Sequence, residues 1–435
     1  MSLSTQPYKG ARDFYPEEKR LQKYIFSVMR GCVEKFGYEE YDAPILEPLD
    51  LYKAKTGEEI VNEQTYTFED RGGRKVTLRP EMTPSVSRMV AAKRQELAYP
   101  LRWYSIPNLW RYERPQRGRL REHWQLNVDL FGISDLSAEH EIIQLSCDTL
   151  KAFGAKSEMF VIKLNSRLLM DEIMRGFLGL DHVQSQTISR LLDRMLKMDH
   201  AEFIADVDAI FTPSQREQDK DKAFLDLLKA KTLGELPDDI LQTEPAKELQ
   251  KLLGLLEQSG VKNAVFDITL MRGFDYYTDI VFEVFDTNPE NNRSMFGGGR
   301  YDGLVSLFGV DPVPTVGFGM GDVTLANFLE THNLLPKLKP ETDLYVILIG
   351  DIYEKSQKPV AELRKMGVNV AVDMSGRKVD AGIKTAVKKG YAYALFIGEQ
   401  ELTDQQYNLK NLDTGVEEKH GIERIASIVK DHRKK

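Results

Sequence analysis

The sequence predicts an α+β protein: a strand-rich region interrupted by a helical insertion, then a linker and a smaller α/β domain. Three observations carry this. Short alternating or β-branched runs broken by turn residues fill residues 38–165 and return after residue 259. Between them, residues 166–258 switch to apolar spacings of three and four. Beyond residue 342, strands alternate with amphipathic helices. At 435 residues the chain has room for roughly three units of ~150 each.

The first helix is expected over residues 17–36, where Leu21, Ile25, Val28, Met29, Cys32, Val33 and Phe36 form one stripe. Pro16 precedes it, Glu17 and Glu18 complement the positive end of its dipole, and Gly37 stops it. Strands follow at 75–78, 101–106, 109–114 and 124–131, with a helix over 139–153. Residues 79–85 (RPEMTPS) follow a strand and open a helix carrying Val86, Met89 and Val90; Glu81 and Thr83 either cap that helix or face a ligand ammonium. In the insertion, Ile188, Leu191, Leu192, Met195 and Leu196 share one helical face, as do Leu249, Leu252, Leu253 and Leu256 before Gly260. Residues 265–270 and 280–285 are strand material. The run Gly317-Phe318-Gly319-Met320-Gly321 has strand-like apolar neighbours and reads as close backbone packing rather than as a dinucleotide loop. The proline-containing stretch 332–342 is a linker. The last domain reads as strand 344–349, helix 353–366, strand 368–372, helix 379–389, strand 391–397, a polar hairpin near 408–414 and helix 422–432.

Composition excludes several functions. The longest apolar runs, 345–349 and 392–397, fall far short of the ~18–20 residues of a membrane span. The amino-terminal stretch has no apolar signal core, so a cytoplasmic protein is expected. Cys32 and Cys147 are too few and too far apart for a disulfide framework or a cysteine zinc site, and the seven histidines show no metal-ligand spacing. No GxxxxGK[ST] loop is present. A net charge of −8 argues against coating DNA or a membrane surface. Yet residues 102–121 hold six arginines (102, 111, 114, 117, 119, 121) against one acid, Glu113. The turn Pro115-Gln116-Arg117-Gly118 joins two aromatic, alternating runs, so an antiparallel pair presents these guanidinium groups as a fork for phosphate oxygens. Like charges at this density predict a bound anion. Residues 270–277 place Arg272 beside Tyr276 and Tyr277. Residues 296–304 place three adjacent glycines before Arg300, a pattern that suits a backbone approached closely by something else.

Taken in this order, the segments resemble histidyl-tRNA synthetases, a family of class II aminoacyl-tRNA synthetases. The opening Lys9-Gly10-Ala11-Arg12-Asp13-Phe14 is similar to that family's start, and Gly37-Tyr38 through Pro44 to its motif 1, which pairs subunits. Residues 111–132 resemble motif 2, while residues 272–277 (RGFDYY) and 297–302 resemble two blocks peculiar to the histidine enzyme. The resemblance spans essentially the whole chain. It implies an antiparallel-sheet catalytic domain over 1–165 and 259–331, a helical insertion domain over 166–258, a linker over 332–342 and an α/β anticodon-binding domain over 343–435. It implies ATP-dependent activation of L-histidine to histidyl-adenylate, transfer to the 3′ end of tRNA(His), Mg²⁺ on the nucleotide phosphates, and a homodimer.

Carried over by position, the resemblance assigns Glu81, Thr83 and Gln125 to the histidine α-amino group. It assigns Asp129 and Tyr277 to the two imidazole nitrogens, with Tyr276 nearby. Arg111 meets the ATP α-phosphate, Glu113 the adenine amino group and Arg119 the outer phosphates. Arg272 touches both the histidine carboxylate and the α-phosphate, which makes Arg111 and Arg272 the catalytic cations. Arg114 and Gln116 meet the acceptor end of the tRNA. The sequence departs from the family in motif 3: residues 317–325 read GFGMGDVTL, so Val323 and Thr324 stand where the family has an acid and an arginine lying over the adenine and touching the γ-phosphate. His123 stands where an aromatic covers the other face. ATP is then expected either to rest on His123 and Arg300 or to bind more weakly. The same departure favours a non-catalytic, histidine-sensing paralogue that regulates ATP phosphoribosyltransferase; the carboxy-terminal domain, Arg111 and Arg272 favour the enzyme.

Overall fold

The structure, a computed structural model, describes residues 3–53, 64–195, 198–271, 276–291 and 293–433. The chain divides into two compact units, Met1–Asp13 with Lys23–Leu335, and Phe14–Gln22 with Pro336–Lys435. The helical stretch expected over 166–258 falls inside the first unit.

The strands of the first unit are β1 (Glu39–Glu40), β2 (Leu46–Pro48), β3 (Tyr66–Glu69), β4 (Lys75–Leu78), β5 (Leu101–Ser105), β6 (Asn108–Trp110), β7 (Glu122–Phe131), β8 (Phe160–Ser166), β9 (Ala264–Phe266), β10 (Ile280–Asp286), β11 (Ser294–Arg300) and β12 (Thr315–Gly321). Among the described residues, nine of them form one sheet in the order β1-β5-β7-β12-β11-β10-β8-β9, with β6 pairing along the first part of β7. The edge pairs β1–β5 and β8–β9 are parallel and the pairs between them antiparallel. A small sheet β2-β4-β3 stands apart.

Strand β7 shows how the sequence positions the site. Side chains alternate between the two faces of a strand. Leu126, Val128 and Leu130 are fully buried on one face, whereas Gln125, Asn127 and Asp129 point into a cavity on the other. On the neighbouring β12, Gly317 lies opposite Asp129 and Gly319 opposite Asn127, so the cavity face of that strand carries no side chain there. A Cβ on Gly317 would stand 2.5 Å from the Val128 carbonyl and 2.6 Å from Asp129 Oδ1. The close-packing reading of the GFGMG run therefore holds, and the same glycines leave room for a ligand. Helix Ser137–Ala152 packs on the sheet and buries Ile142, Ile143, Leu145 and Leu150.

The expected first helix runs Pro16–Val33, followed by a 3₁₀ turn Glu34–Phe36 that ends on Gly37 at φ +82°. In the insertion, helix His182–Arg194 buries Ile188, Leu191 and Leu192, and helix Glu244–Gln258 buries Leu249, Leu252 and Leu256. Two strands are cut to about half the expected length. The run from residue 265 leaves the sheet after Phe266, where Asp267 accepts hydrogen bonds from the Thr269 amide and hydroxyl and turns the chain. The run from residue 109 ends at Trp110, beyond which the arginine-rich loop begins.

In the second unit, β13 (Leu344–Leu348), β14 (Val370–Asp373), β15 (Tyr393–Ile397), β16 (Tyr407–Asn411) and β17 (Glu417–His420) form a sheet ordered β14-β13-β15-β16-β17. The pairs β13–β14 and β13–β15 are parallel and the last two antiparallel. Leu344, Val346, Leu395 and Ile397 pack with Val360, Leu363, Ile425 and Val429; the alternate residues Tyr345, Ile347, Ala394 and Phe396 pack with Ala386. Both faces of the sheet are covered, as the near-continuous apolar strands predict. No helix among the described residues is long and apolar enough to cross a membrane.

Candidate active site

The cavity beside β7 has a volume of about 190 Å³ and lies against Glu81, Thr83, Arg111, Gln125, Asp129, Tyr276 and Tyr277. These seven residues come from four separated stretches, and the sequence reading singled out all of them. Glu81 is 2% exposed and accepts a hydrogen bond from the Tyr276 hydroxyl at 3.1 Å. It does not cap the helix Thr83–Ala92, whose N-cap position is Met82 with no side-chain cap. The capping reading of Glu81 is not met, and its carboxylate lies against the cavity instead.

Asp129 is a buried acid of this site. Tyr301 donates its hydroxyl to Asp129 Oδ1, and the Tyr41 hydroxyl lies 3.4 Å from Oδ2. Burial pushes the Asp129 carboxyl up to about 7, against the pull of those two phenols. Tyr276 and Tyr277 are held well above the ordinary phenol range, first by burial and then by the charge of Glu81, so both are neutral donors at physiological pH. Rings of Tyr276, Tyr277 and Tyr301 meet at centroid distances of 5.0–6.3 Å and interplanar angles of 60–68°, an edge-to-face aromatic cluster beside the cavity.

A second cavity, also about 190 Å³, shares Arg111, Gln125 and Gly319 with the first and adds Glu113, Arg119, His123 and Thr324. Arg111 is fixed by its Nε–H, which donates to the Pro80 carbonyl at 2.9 Å. Arg119 pairs with Glu113 at 2.8 Å. Burial, then the charges of Arg111, Arg12 and Arg119, pull His123 down to about 3, so its ring is a neutral aromatic surface. Thr324 turns its hydroxyl to the Met295 carbonyl at 2.7 Å. Asp322, two residues earlier, is held by Arg12 at 2.7 Å and by the Trp124 amide at 2.9 Å.

Some expectations need correction. Arg300 lines neither cavity. It is 5% exposed, and its Nη2 bonds Glu139 at 2.8 Å while Nη1 bonds the Ile133 carbonyl at 3.1 Å. Strand alternation is the reason: Arg300 lies opposite Val316, on the face away from Gly317, while its neighbour Tyr301 turns inward. The arginine cluster is also less bare than its sequence suggests. Arg102 pairs with Glu141 at 2.8 Å, far along the chain, and Arg121 lies 3.9 Å above the Tyr112 ring. Arg114 is exposed on the loop, and Gln116 is held across it by backbone bonds to Arg119. Arg272 lies outside the described residues. Asn127, Glu283 and Tyr301 line the first cavity without having been singled out; for Asn127 the signal was present, since it shares a face with Gln125 and Asp129.

A family model for histidyl-tRNA synthetase matches residues 10–323, and one for an anticodon-binding domain matches residues 343–432. The chain belongs to the histidyl-tRNA synthetase family. It is 45% identical over 412 residues to the histidine–tRNA ligase of Leptospira biflexa, covering 94% of each chain. The histidine–tRNA ligase of Haloarcula marismortui is 37% identical, over 94% of this chain and 93% of that one. Among solved structures, the histidyl-tRNA synthetase from Nostoc sp. PCC 7120 has the same fold, with a TM-score of 0.82 at 22% identity over 99% of this chain and all of that one. Within this histidyl-tRNA synthetase fold, the first cavity is acidic and aromatic and the second cationic. Thr324 is a short side chain on the wall of the second.

Proposed function

We infer that this protein is a histidine–tRNA ligase: it activates L-histidine with ATP to histidyl-adenylate and transfers the histidyl group to the 3′ end of tRNA(His). The observation that carries this is the shared wall. An acidic, phenol-lined cavity sized for one small ligand meets a guanidinium-lined cavity at Arg111, Gln125 and Gly319. Membership of the family and relatives that are histidine–tRNA ligases favour the enzyme over the regulatory paralogue.

The residue roles follow from chemistry. Glu81, Thr83 and Gln125 receive the α-ammonium, and Asp129 and Tyr277 the two ring nitrogens, with Tyr276 holding Glu81 in place. A side chain lacking either ring nitrogen leaves a buried polar group unpaired, which is worth ~10⁴-fold or more in discrimination. The histidine carboxylate is ionised at neutral pH, so no general base is needed. Arg111 and Arg272 stabilise the charge that spreads as the carboxylate attacks the α-phosphorus and pyrophosphate leaves. Glu113 faces the adenine amino group, His123 the ring, and Arg119 the outer phosphates. Arg114 and Gln116 on the exposed loop meet the acceptor end. Mg²⁺ enters on the nucleotide, held chiefly by phosphate oxygens and water.

The domain plan is a catalytic domain over 1–165 and 259–331, the helical insertion 166–258, and an anticodon reader over 343–435. The protein acts in the cytoplasm as a homodimer; Ile45, Leu46 and Phe68 of the small-sheet region are 41%, 39% and 49% exposed and suit a subunit contact. Histidine-dependent exchange of pyrophosphate into ATP, followed by charging of tRNA(His), tests the reading. An absence of exchange at saturating histidine and ATP refutes it.

A further inference from the structure

A hollow of about 320 Å³ lies beyond the nucleotide-side cavity and shares Gly118, Met295 and Thr324 with it. Arg117 and Arg293 line it, with Glu290 as its one acid. No described ion pair involves either arginine. Arg117 is held by neutral partners, Asn291 Oδ1 and Thr331 Oγ1, each at 3.3 Å. Both side chains are exposed. The wall between hollow and cavity is low: Gly118 has no side chain, Thr324 is short and turned to the Met295 carbonyl, and a Cβ on Gly118 would lie 3.5 Å from Thr324.

We propose that Arg293, aided by Arg117, binds the outer phosphates of ATP across this wall and supplies the cation that Thr324 does not. Charge balance motivates this. The lining of the nucleotide-side cavity offers two guanidinium groups, Arg111 and Arg119, and Arg119 is already paired with Glu113. A triphosphate needs more positive charge than that, and the adjoining hollow holds a surplus guanidinium on the far side of the rim of Gly118, Met295 and Thr324. Arginine is suited to the task because its planar fork engages phosphate oxygens in pairs. The proposal rests on the ligase reading and adds a binding residue to it. Its chemistry is that of a terminal phosphate, and the same guanidinium groups would also attract an RNA backbone.

The test is the histidine-dependent exchange assay on the full chain with Arg293→Ala. Loss of one charge-assisted contact at an exposed site should raise the KM for ATP about tenfold. The KM for pyrophosphate in the reverse direction should rise in parallel, and the KM for histidine should stay within twofold. Adding Thr324→Arg to Arg293→Ala should restore ATP affinity, since it places a guanidinium on the shared rim. An ATP KM within twofold of wild type for both Arg293→Ala and the Arg117→Ala/Arg293→Ala pair overturns the proposal. So does a defect confined to tRNA charging, which would assign the hollow to RNA. A wild-type chain without exchange fails the ligase reading itself, so the two failures are distinguishable. Histidine-induced thermal stabilisation of each variant reports that it is folded.

Discussion

Asp129→Asn tests the proposal that this acid faces the imidazole of histidine. The change is isosteric, and the amide oxygen still accepts from Tyr301. What it removes is the negative charge of a carboxylate on the cavity wall that is 4% exposed. A carboxylate has room for more acceptor contacts than the two phenols take, so a ring N–H of histidine fits as a further donor. A hydrogen bond to a charged group contributes about 1.5–3 kcal/mol, so the KM for histidine should rise roughly 10- to 100-fold with the KM for ATP unchanged. Steady-state exchange kinetics read both constants. A histidine KM within twofold of wild type would refute the assignment.

The pH dependence of the same variant gives a second reading. Burial sets Asp129 near 7 in the empty site. Below that pH the carboxyl is protonated and no longer offers the ring N–H an anionic acceptor. Wild-type affinity for histidine should therefore fall between pH 8 and pH 6 more steeply than titration of free imidazole near ~6.5 accounts for. The variant should keep only the imidazole limb. Stability runs the other way. The folded value lies above the unfolded one, so Asp129's contribution is fully present below about pH 4 and lost as the pH rises through 7. The ionised, buried form costs at most on the order of 4 kcal/mol at pH 8. Asp129→Asn should thus raise the melting temperature of the ligand-free protein at pH 8 and change it little at pH 4. A lower melting temperature at pH 8 contradicts the assigned environment.

Arg300→Met should cost about 3–5 kcal/mol of stability by stranding Glu139, with the ATP KM of the folded fraction unchanged; a stable variant with weakened ATP binding would return Arg300 to the nucleotide. Gly317→Ala forces a methyl against the Val128 carbonyl and Asp129 Oδ1, so histidine-induced thermal stabilisation should disappear, and its survival would show that the strand yields. Arg272→Ala should slow adenylate formation by about 10²-fold or more in single-turnover assays, and a near-wild-type rate removes it from the chemistry. Deleting residues 341–435 should spare pyrophosphate exchange but cut tRNA charging, whereas equal loss of both would deny a separate anticodon reader.

Much of the architecture was legible because local periodicity and burial coincide. The stripe from Ile25 to Val33 and the apolar strands of the second unit each encode their own environment. The cavity residues were legible for a different reason: Glu81, Gln125, Asp129 and Tyr277 sit in short motifs whose resemblance to a family suggested the roles proposed for them, which spacing cannot. What the sequence hid is parity and remote pairing. Arg300 and Tyr301 are adjacent, yet strand alternation sends one to Glu139 and the other to Asp129. Arg102 looked like part of an arginine cluster because its partner, Glu141, lies 39 residues away on a helix. Charge counted along the chain is a poor measure of charge in space.

The central difficulty of the proposed reaction is electrostatic, and the two cavities divide it. A histidine carboxylate and an α-phosphate are both anions, and at about 4 Å and an effective dielectric near 20 their repulsion is roughly 4 kcal/mol. In the proposed binding mode the acidic cavity draws in the ammonium and ring nitrogens of histidine, which leaves the carboxylate at the rim. That rim is where Arg111 lies, common to both cavities and anchored through Nε to the Pro80 carbonyl, so its guanidinium need not reorganise as charge shifts. Gly319 completes the passage: a Cβ there would come within 2.7 Å of Gln125 Nε2, so any larger residue would narrow the junction where the reacting atoms meet. A cation at this point offsets the repulsion in the ground state and gains further as negative charge gathers on the transferring phosphorus, and only that second, differential part accelerates the chemical step. Replacing Arg111 by a neutral residue therefore acts on kcat as well as on ATP affinity, whereas loss of a cation at the outer phosphates acts mainly on ATP affinity.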